Sequence, residues 1–239
     1  FPYTTLFRSE VYELAKNCQM IYFFGGEPFM YKPVVKMMGD ISTPADCRYC
    51  IITNATLLTP SVMAMLETKN IGIFAVSLDA ATAESFDKLR VRGRNANWDQ
   101  VMRNVRVISE MKKRKNFVFT ISMTVNSINA AEIERFIDLC FDVDAEPEIL
   151  LVASPDESLT WQKEFLFFTP PQFEEMERQI SSSLQKVRTR GYTEAEAALK
   201  HLRDRLRGHR LSENDTPHYL LKRAARQIFR RLPPTAREN

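Results

Sequence analysis

Short apolar runs alternate with helically patterned segments along the front of this chain, and no other feature restricts its fold so strongly. Met20–Phe24, Cys50–Thr53, Ile73–Leu78, Phe117–Val125 and Glu148–Val152 read as strands. Near-continuous apolar runs of this length suit strands buried on both faces. Before and between them lie segments that read as helices: Val11–Lys16, Tyr31–Met38, one capped by Thr59 with Pro60 at its first position, Ala83–Leu89, Trp98–Lys113 opened by Asn97, and Ala130–Phe141. A polar cap followed by proline is a favoured helix start. Strands that each lead into a helix return to the same sheet as parallel neighbours through right-handed crossovers. The expected class is α/β, a barrel or partial barrel and not a sandwich.

Beyond Val152 the strand signal ends. Thr169-Pro170-Pro171 opens a long amphipathic helix to about Arg190, and Thr193 caps another to Arg207, before Gly208. Tyr219–Leu232 places Leu220, Ala224, Ile228 and Leu232 on one face and Lys222, Arg223, Arg226 and Arg230 on the other. Such a helix can meet nucleic acid or an anionic membrane surface, but docking the apolar stripe and solvating the charges is the commoner outcome. The opening nonapeptide, Phe1 to Ser9, resembles the in-frame translation of a common sequencing adapter, and no initiating methionine precedes it. The expected organisation is therefore an adapter-derived tail over 1–9, a core over 10–155 and a helical C-terminal extension over 156–239.

Composition sets outer bounds. A chain of 239 residues can bury one substantial core. A net charge of +3 is too small to argue for nucleic acid. No apolar run approaches the roughly 20 residues of a membrane span, and the start does not resemble a signal peptide, so a cytoplasmic location is expected. Cys18, Cys47, Cys50 and Cys140 are scattered, which fits a reducing compartment.

The strand ends carry the chemistry. The first is followed by Gly25-Gly26-Glu27-Pro28, the second leads into Thr53-Asn54-Ala55, and the third into Ser77-Leu78-Asp79-Ala80 with Arg90 soon after. The fourth adds Thr124 and Asn126. Glycines at a strand end let the backbone lie against a ligand, because neither carries a Cβ. This rim of a parallel sheet is where such folds bind small molecules. A zwitterionic ligand suits it, with backbone groups and Glu27 toward an ammonium, and Ser77 and Arg90 toward a carboxylate.

The order of these motifs resembles the radical S-adenosylmethionine (SAM) superfamily, particularly the branch that often carries an additional C-terminal iron–sulfur domain. The resemblance spans about residues 18–152 and includes Thr124 to Asn129. It implies a (β/α)6 TIM-like partial barrel missing its first strand. It also implies that Gly25, Gly26, Glu27 and Pro28 form the loop for the SAM amino group, with Asn54, Ser77, Asp79, Arg90 and Asn126 at the same cofactor. The implied chemistry is reductive cleavage of SAM to a 5′-deoxyadenosyl radical, then hydrogen abstraction from a small-molecule, peptide or protein substrate. A flavodoxin or ferredoxin would serve as reductant.

Two departures qualify the match. Alanine stands at Ala55 and Ala80 where the family usually has glycine, which is expected to be tolerated only at negative φ. The family also needs a Cys-x3-Cys-x2-Cys loop, whose thiolates hold a [4Fe–4S] cluster, and this sequence has none. Cys47-Arg48-Tyr49-Cys50 lacks a third cysteine and precedes a strand, so it is not a substitute. The pair makes half a zinc site at most, and His201, His209 and His218 lack ligand spacing, so no metal ligands are assigned. The expectation is a fragment of a radical SAM enzyme, inactive as it stands, whose parent holds the cluster ligands. The alternative is a cluster-less, non-catalytic barrel serving as a binding or partner module. A barrel enzyme for a phosphorylated substrate is weaker still, since no glycine-rich loop opens a helix near the last strands.

Overall fold

The computed structural model describes residues 5–89, 97–151 and 170–208. The strands are β1 Met20–Phe23, β2 Arg48–Thr53, β3 Ile71–Ser77, β4 Val118–Val125 and β5 Glu146–Leu151. The helices are α1 Thr5–Ala15, α2 Lys32–Asp40, α3 Pro60–Glu67, α4 Ala83–Leu89, α5 Trp98–Arg114, α6 Ile133–Asp142, α7 Pro170–Thr189 and α8 Thr193–Gly208. Short 3-10 turns occupy Pro28–Met30 and Ala130–Glu132.

The strand order is β1-β2-β3-β4-β5, so each strand neighbours the next in sequence. The pairs β1–β2, β2–β3 and β3–β4 are parallel. A doubly wound sheet would reverse direction at a switch point. This one winds a single way, as an α/β sheet of partial-barrel type does. Inner strand residues Ile51, Phe74, Val76, Phe119 and Ile121 are fully buried. Each such side chain contributes about 1.5–3 kcal/mol by leaving water.

Expected and observed elements differ mainly at their ends, for local reasons. Phe24 falls outside β1 and is 53% exposed, because the chain turns away immediately at Gly25. β2 starts two residues before Cys50, where the Arg48 amide donates to the Gln19 carbonyl at 2.9 Å. β3 starts two residues before Ile73 and takes in Gly72, where a Cβ would stand 2.9 Å from Cβ of Arg48, closer than side-chain carbons approach. The segment expected as one helix from Ala130 begins as a 3-10 turn, closed by the Glu132 amide on the Asn129 carbonyl at 2.9 Å. α1 begins at Thr5, earlier than Val11, and runs unbroken through Ser9 and Glu10.

The helix starts follow the expected caps. Thr59 Oγ1 accepts from the Val62 amide at 3.3 Å, and Asn97 Oδ1 accepts from the Gln100 amide at 3.1 Å. At the opposite ends, lysines bond carbonyls in the last helical turn or just past it. Lys69 Nζ donates to Gly39 O at 2.9 Å, Lys115 Nζ to Lys69 O at 3.0 Å, and Lys112 Nζ to Asp144 O at 2.6 Å.

The chain divides into two compact units, one comprising residues 1–123 and 134–148, the other 124–133 and 149–239. Within the second, α7 and α8 bury Met176, Ile180, Leu199 and Leu202. Gln179 Nε2 donates to Ala131 O at 2.7 Å, and Gln172 Nε2 to Ser127 O at 2.9 Å. α7 closes in a Schellman arrangement, with Gly191 at φ +73° and the Tyr192 amide on Val187 O at 3.0 Å. The expected basic helix Tyr219–Leu232 lies outside the described residues.

Within the first unit, an apolar groove of about 570 Å³ runs beside β1. Leu14 of α1, Met20, Tyr22 and Phe24 of the β1 segment, and Val34 and Met37 of α2 line it.

Candidate functional site

The turn after β1 is built from two consecutive left-handed residues, Gly25 at φ +92° and Gly26 at φ +50°. An L-residue would pay about 1–2 kcal/mol at each. A Cβ built on either meets no atom within 4 Å, so the glycines answer to conformation and not to crowding. Both backbones are exposed. The turn therefore presents bare peptide groups to open space at the carboxyl end of the sheet.

Glu27 caps the 3-10 turn that follows, with Pro28 at its first position. Its carboxylate faces its own chain. Oε1 accepts from the Phe29 amide at 3.2 Å, and the Thr53 hydroxyl lies 2.8 Å from Oε1 and 2.9 Å from Oε2. Oε2 also accepts from the Asn54 amide at 2.8 Å. Thr53 is 2% exposed, so this tie between the ends of β1 and β2 is shielded from water. Glu27 and Asn54 were expected on one rim and no role was assigned to Thr53, whose hydroxyl reaches both carboxylate oxygens.

The Asn54 side chain is occupied locally. Its Oδ1 accepts from the Thr56 amide at 3.0 Å and from Thr56 Oγ1 at 2.6 Å, an Asx turn. Ala55 overturns the expectation of negative φ, since it sits at +59°. It is held there from both sides. Its amide donates to Thr53 Oγ1 at 3.0 Å and its carbonyl accepts from Asn104 Nδ2 at 2.7 Å. Ala80 is not among the described residues with positive φ, as expected.

Ser77 ends β3 half-buried, in register with Ser122 of β4. The amides of Leu78 and Asp79 both donate to Ser122 O, at 3.1 and 3.2 Å, and Asp79 turns the chain outward at φ +61°. Thr82 caps α4, its Oγ1 accepting from the Ser85 amide at 3.2 Å. The register of β1, β2 and β3 puts Gly25, Thr53 and Ser77 at one end of the sheet. Arg90 lies outside the described residues. Asn126 belongs to the second unit, where it is 4% exposed. Its Oδ1 accepts from the Ile128 amide at 2.9 Å, its Nδ2 donates to Thr124 O at 3.1 Å, and its amide donates to Asn129 Oδ1 at 2.7 Å. Its side chain thus bonds within its own turn.

The cysteines do not form a metal centre. Cys47 and Cys50 are each 1% exposed, and burial pushes the Cys50 thiol up to about 12 and raises that of Cys47. A buried neutral thiol is a poor ligand, because metals bind the thiolate. Among the described residues, no three His, Cys, Asp or Glu side chains converge to hold a metal ion. A [4Fe–4S] cluster does not fit these side chains, whereas the open glycine turn does fit a ligand's polar end. No helix of the described residues is long and apolar enough to cross a membrane.

The radical SAM superfamily model matches residues 6–140. The AdoMet-dependent heme synthase of Methanosarcina barkeri strain Fusaro is 31% identical over 121 residues, covering 51% of this chain and 33% of that protein. The chain thus spans about a third of the length of this curated relative. Streptococcus suis SuiB matches with a TM-score of 0.54 at 13% identity, over 77% of this chain and 41% of its own. The structure of anSMEcpe with bound AdoMet matches at 0.53 and 16% identity, over 77% and 49%. At these identities the likeness is one of fold.

Proposed function

The chain belongs to the radical SAM superfamily, and on that premise we propose that it is the SAM-binding part of a radical SAM enzyme. The observation that carries this reading is the Gly25-Gly26 turn, with two left-handed glycines facing open space at the carboxyl end of β1. The bare peptide groups there receive the ligand's ammonium, and Glu27 holds them in place from behind. Ser77 and Arg90 take its carboxylate. Asn54, Asp79 and Asn126 act chiefly by shaping the strand ends, which the bonding of Asn54 and Asn126 within their own turns and of the Asp79 amide to Ser122 of β4 supports.

When bound, SAM supplies a sulfonium whose reductive cleavage is the family's source of reactivity. That step needs cluster ligands, which the buried cysteines do not provide, so the 239 residues bind SAM without cleaving it. The parent enzyme carries the ligands elsewhere and draws electrons from a flavodoxin or ferredoxin.

The test is anaerobic reconstitution of the full chain with iron and sulfide, followed by dithionite and SAM. Expected are saturable SAM binding, no stable [4Fe–4S] absorbance, and no 5′-deoxyadenosine above background. Nucleoside release would overturn the inactivity, and failure to bind SAM would overturn the reading itself. The buried cysteines also favour a cluster-less binding module. Genomic sequence upstream of Glu10 separates the two, since a Cys-x3-Cys-x2-Cys triplet there assigns the enzyme and an intact start codon without one assigns the module.

A further inference from the structure

The Thr53 hydroxyl sits between two groups that the chain must hold still. On one side it donates to the Glu27 carboxylate, and on the other it accepts from the amide of Ala55. Ala55 is the left-handed residue after β2, and Glu27 directly follows the left-handed pair after β1. A relay of amide, hydroxyl and carboxylate therefore joins the left-handed turns of neighbouring strands. Polar groups in such a chain polarise one another, so each bond is stronger for the presence of the next. Thr53 is 2% exposed, so water does not readily replace the hydroxyl.

We propose that Thr53 is a positioning residue for the amino-acid end of the ligand, acting through Glu27 on the Gly25-Gly26 turn. The inference rests on the SAM reading above and adds a residue that touches no ligand itself. The Glu27 carboxylate has three donor groups around it: the Phe29 amide, the Asn54 amide and the Thr53 hydroxyl. The Phe29 amide belongs to the turn that carries Glu27 and moves with it, and the Asn54 amide reaches one carboxylate oxygen only. The hydroxyl is the donor fixed within β2, and it bridges both carboxylate oxygens. Without it the carboxylate can swing about the remaining bonds, and the glycine turn moves with it. Displacement of roughly an ångström is enough to spoil an oriented hydrogen bond.

The position also suits threonine sterically. A β-branched residue fits the end of a buried strand, and its methyl packs where valine's would. Valine therefore removes the hydroxyl with little change of shape, while serine keeps the hydroxyl and loses the methyl.

Calorimetric titration of the full chain tests this with two ligands. S-adenosylhomocysteine carries the amino-acid end, and 5′-methylthioadenosine lacks it. Thr53→Val should weaken S-adenosylhomocysteine about tenfold, consistent with loss of one hydrogen bond to a charged group. The same variant should leave 5′-methylthioadenosine within about twofold, and Thr53→Ser should bind both ligands within about twofold of the wild type. Equal weakening of both ligands would assign Thr53 a general structural role and overturn the proposal. Unchanged binding of S-adenosylhomocysteine by Thr53→Val would overturn it too, leaving the SAM reading intact. If the wild type binds neither ligand, the SAM reading fails and this inference falls with it.

Discussion

The side-chain amide of Asn104 donates to the carbonyl oxygen of Ala55 at 2.7 Å, so α5 holds the turn that follows β2. Asn104 is 6% exposed and Ala55 is fully buried. Asn104→Leu would leave that carbonyl buried without its donor, at a cost of about 1–3 kcal/mol. The measurement is the urea unfolding midpoint. A loss under about 0.5 kcal/mol would show that the carbonyl finds another partner, since surface-type changes fall in that range.

Ala55 and Ala80 should respond differently to glycine. At Ala55, relief of left-handed strain returns about 1–2 kcal/mol. Loss of a buried methyl, about 0.8 kcal/mol, and the added freedom of the unfolded chain, about 0.4–1 kcal/mol, offset it. The net change should be within about 1 kcal/mol of zero. Ala80 is equally buried but has no positive φ to relieve. There the same substitution should cost about 1–2 kcal/mol. Equal effects at the two positions would contradict the backbone geometry at Ala55.

Gly25→Ala and Gly26→Ala should each destabilise by no more than about 1.6 kcal/mol, since the left-handed φ costs about 1–2 kcal/mol, the stiffer unfolded chain returns about 0.4–1 kcal/mol, and the added methyl groups meet nothing within 4 Å. Thermal melts of the single variants check this. A much larger loss would mean that the turn is crowded after all.

Stability should fall as pH rises above about 9. Burial lifts the Cys50 thiol from 9.0 and the Tyr22 hydroxyl from 10.0, each to about 12, and Cys140 is pushed up as well. A folded-state pKa above the unfolded one means that the native state holds its proton more tightly. That stabilisation is complete below the unfolded pKa and is lost as pH climbs through the folded value. Urea midpoints should therefore decline between pH 9 and 12. The decline should be smaller in Cys50→Ala, measured against that variant's own value at pH 8. A slope unchanged by the substitution would show that Cys50 does not carry it.

Much of the scaffold was legible because it rests on local signals. Thr59-Pro60 and Asn97 announce α3 and α5, and the apolar runs announce strands whose ends shift by only a residue or two. The site was less legible because its bonds cross the sequence. Thr53 meets Glu27 across 26 positions and Asn104 meets Ala55 across 49, so no local pattern reveals either pair. Ala55 misled because the rule that alanine avoids positive φ is a local rule, overruled here by hydrogen bonds on both sides. Asn54 and Asn126 stood out as polar residues at strand ends, which is equally the signature of an Asx turn. A threonine closing a strand just before such a turn was the available sign of Thr53.

The outer margin of β1 has a practical consequence. Only β2 pairs with this strand among the described residues, and beside it Leu14 and Phe24 are 70% and 53% exposed around the groove. Open backbone next to greasy side chains is a template for intermolecular strand addition. The shelf life of the purified polypeptide will thus be governed by protein concentration at this margin, through seeded aggregation, well before its melting temperature is reached.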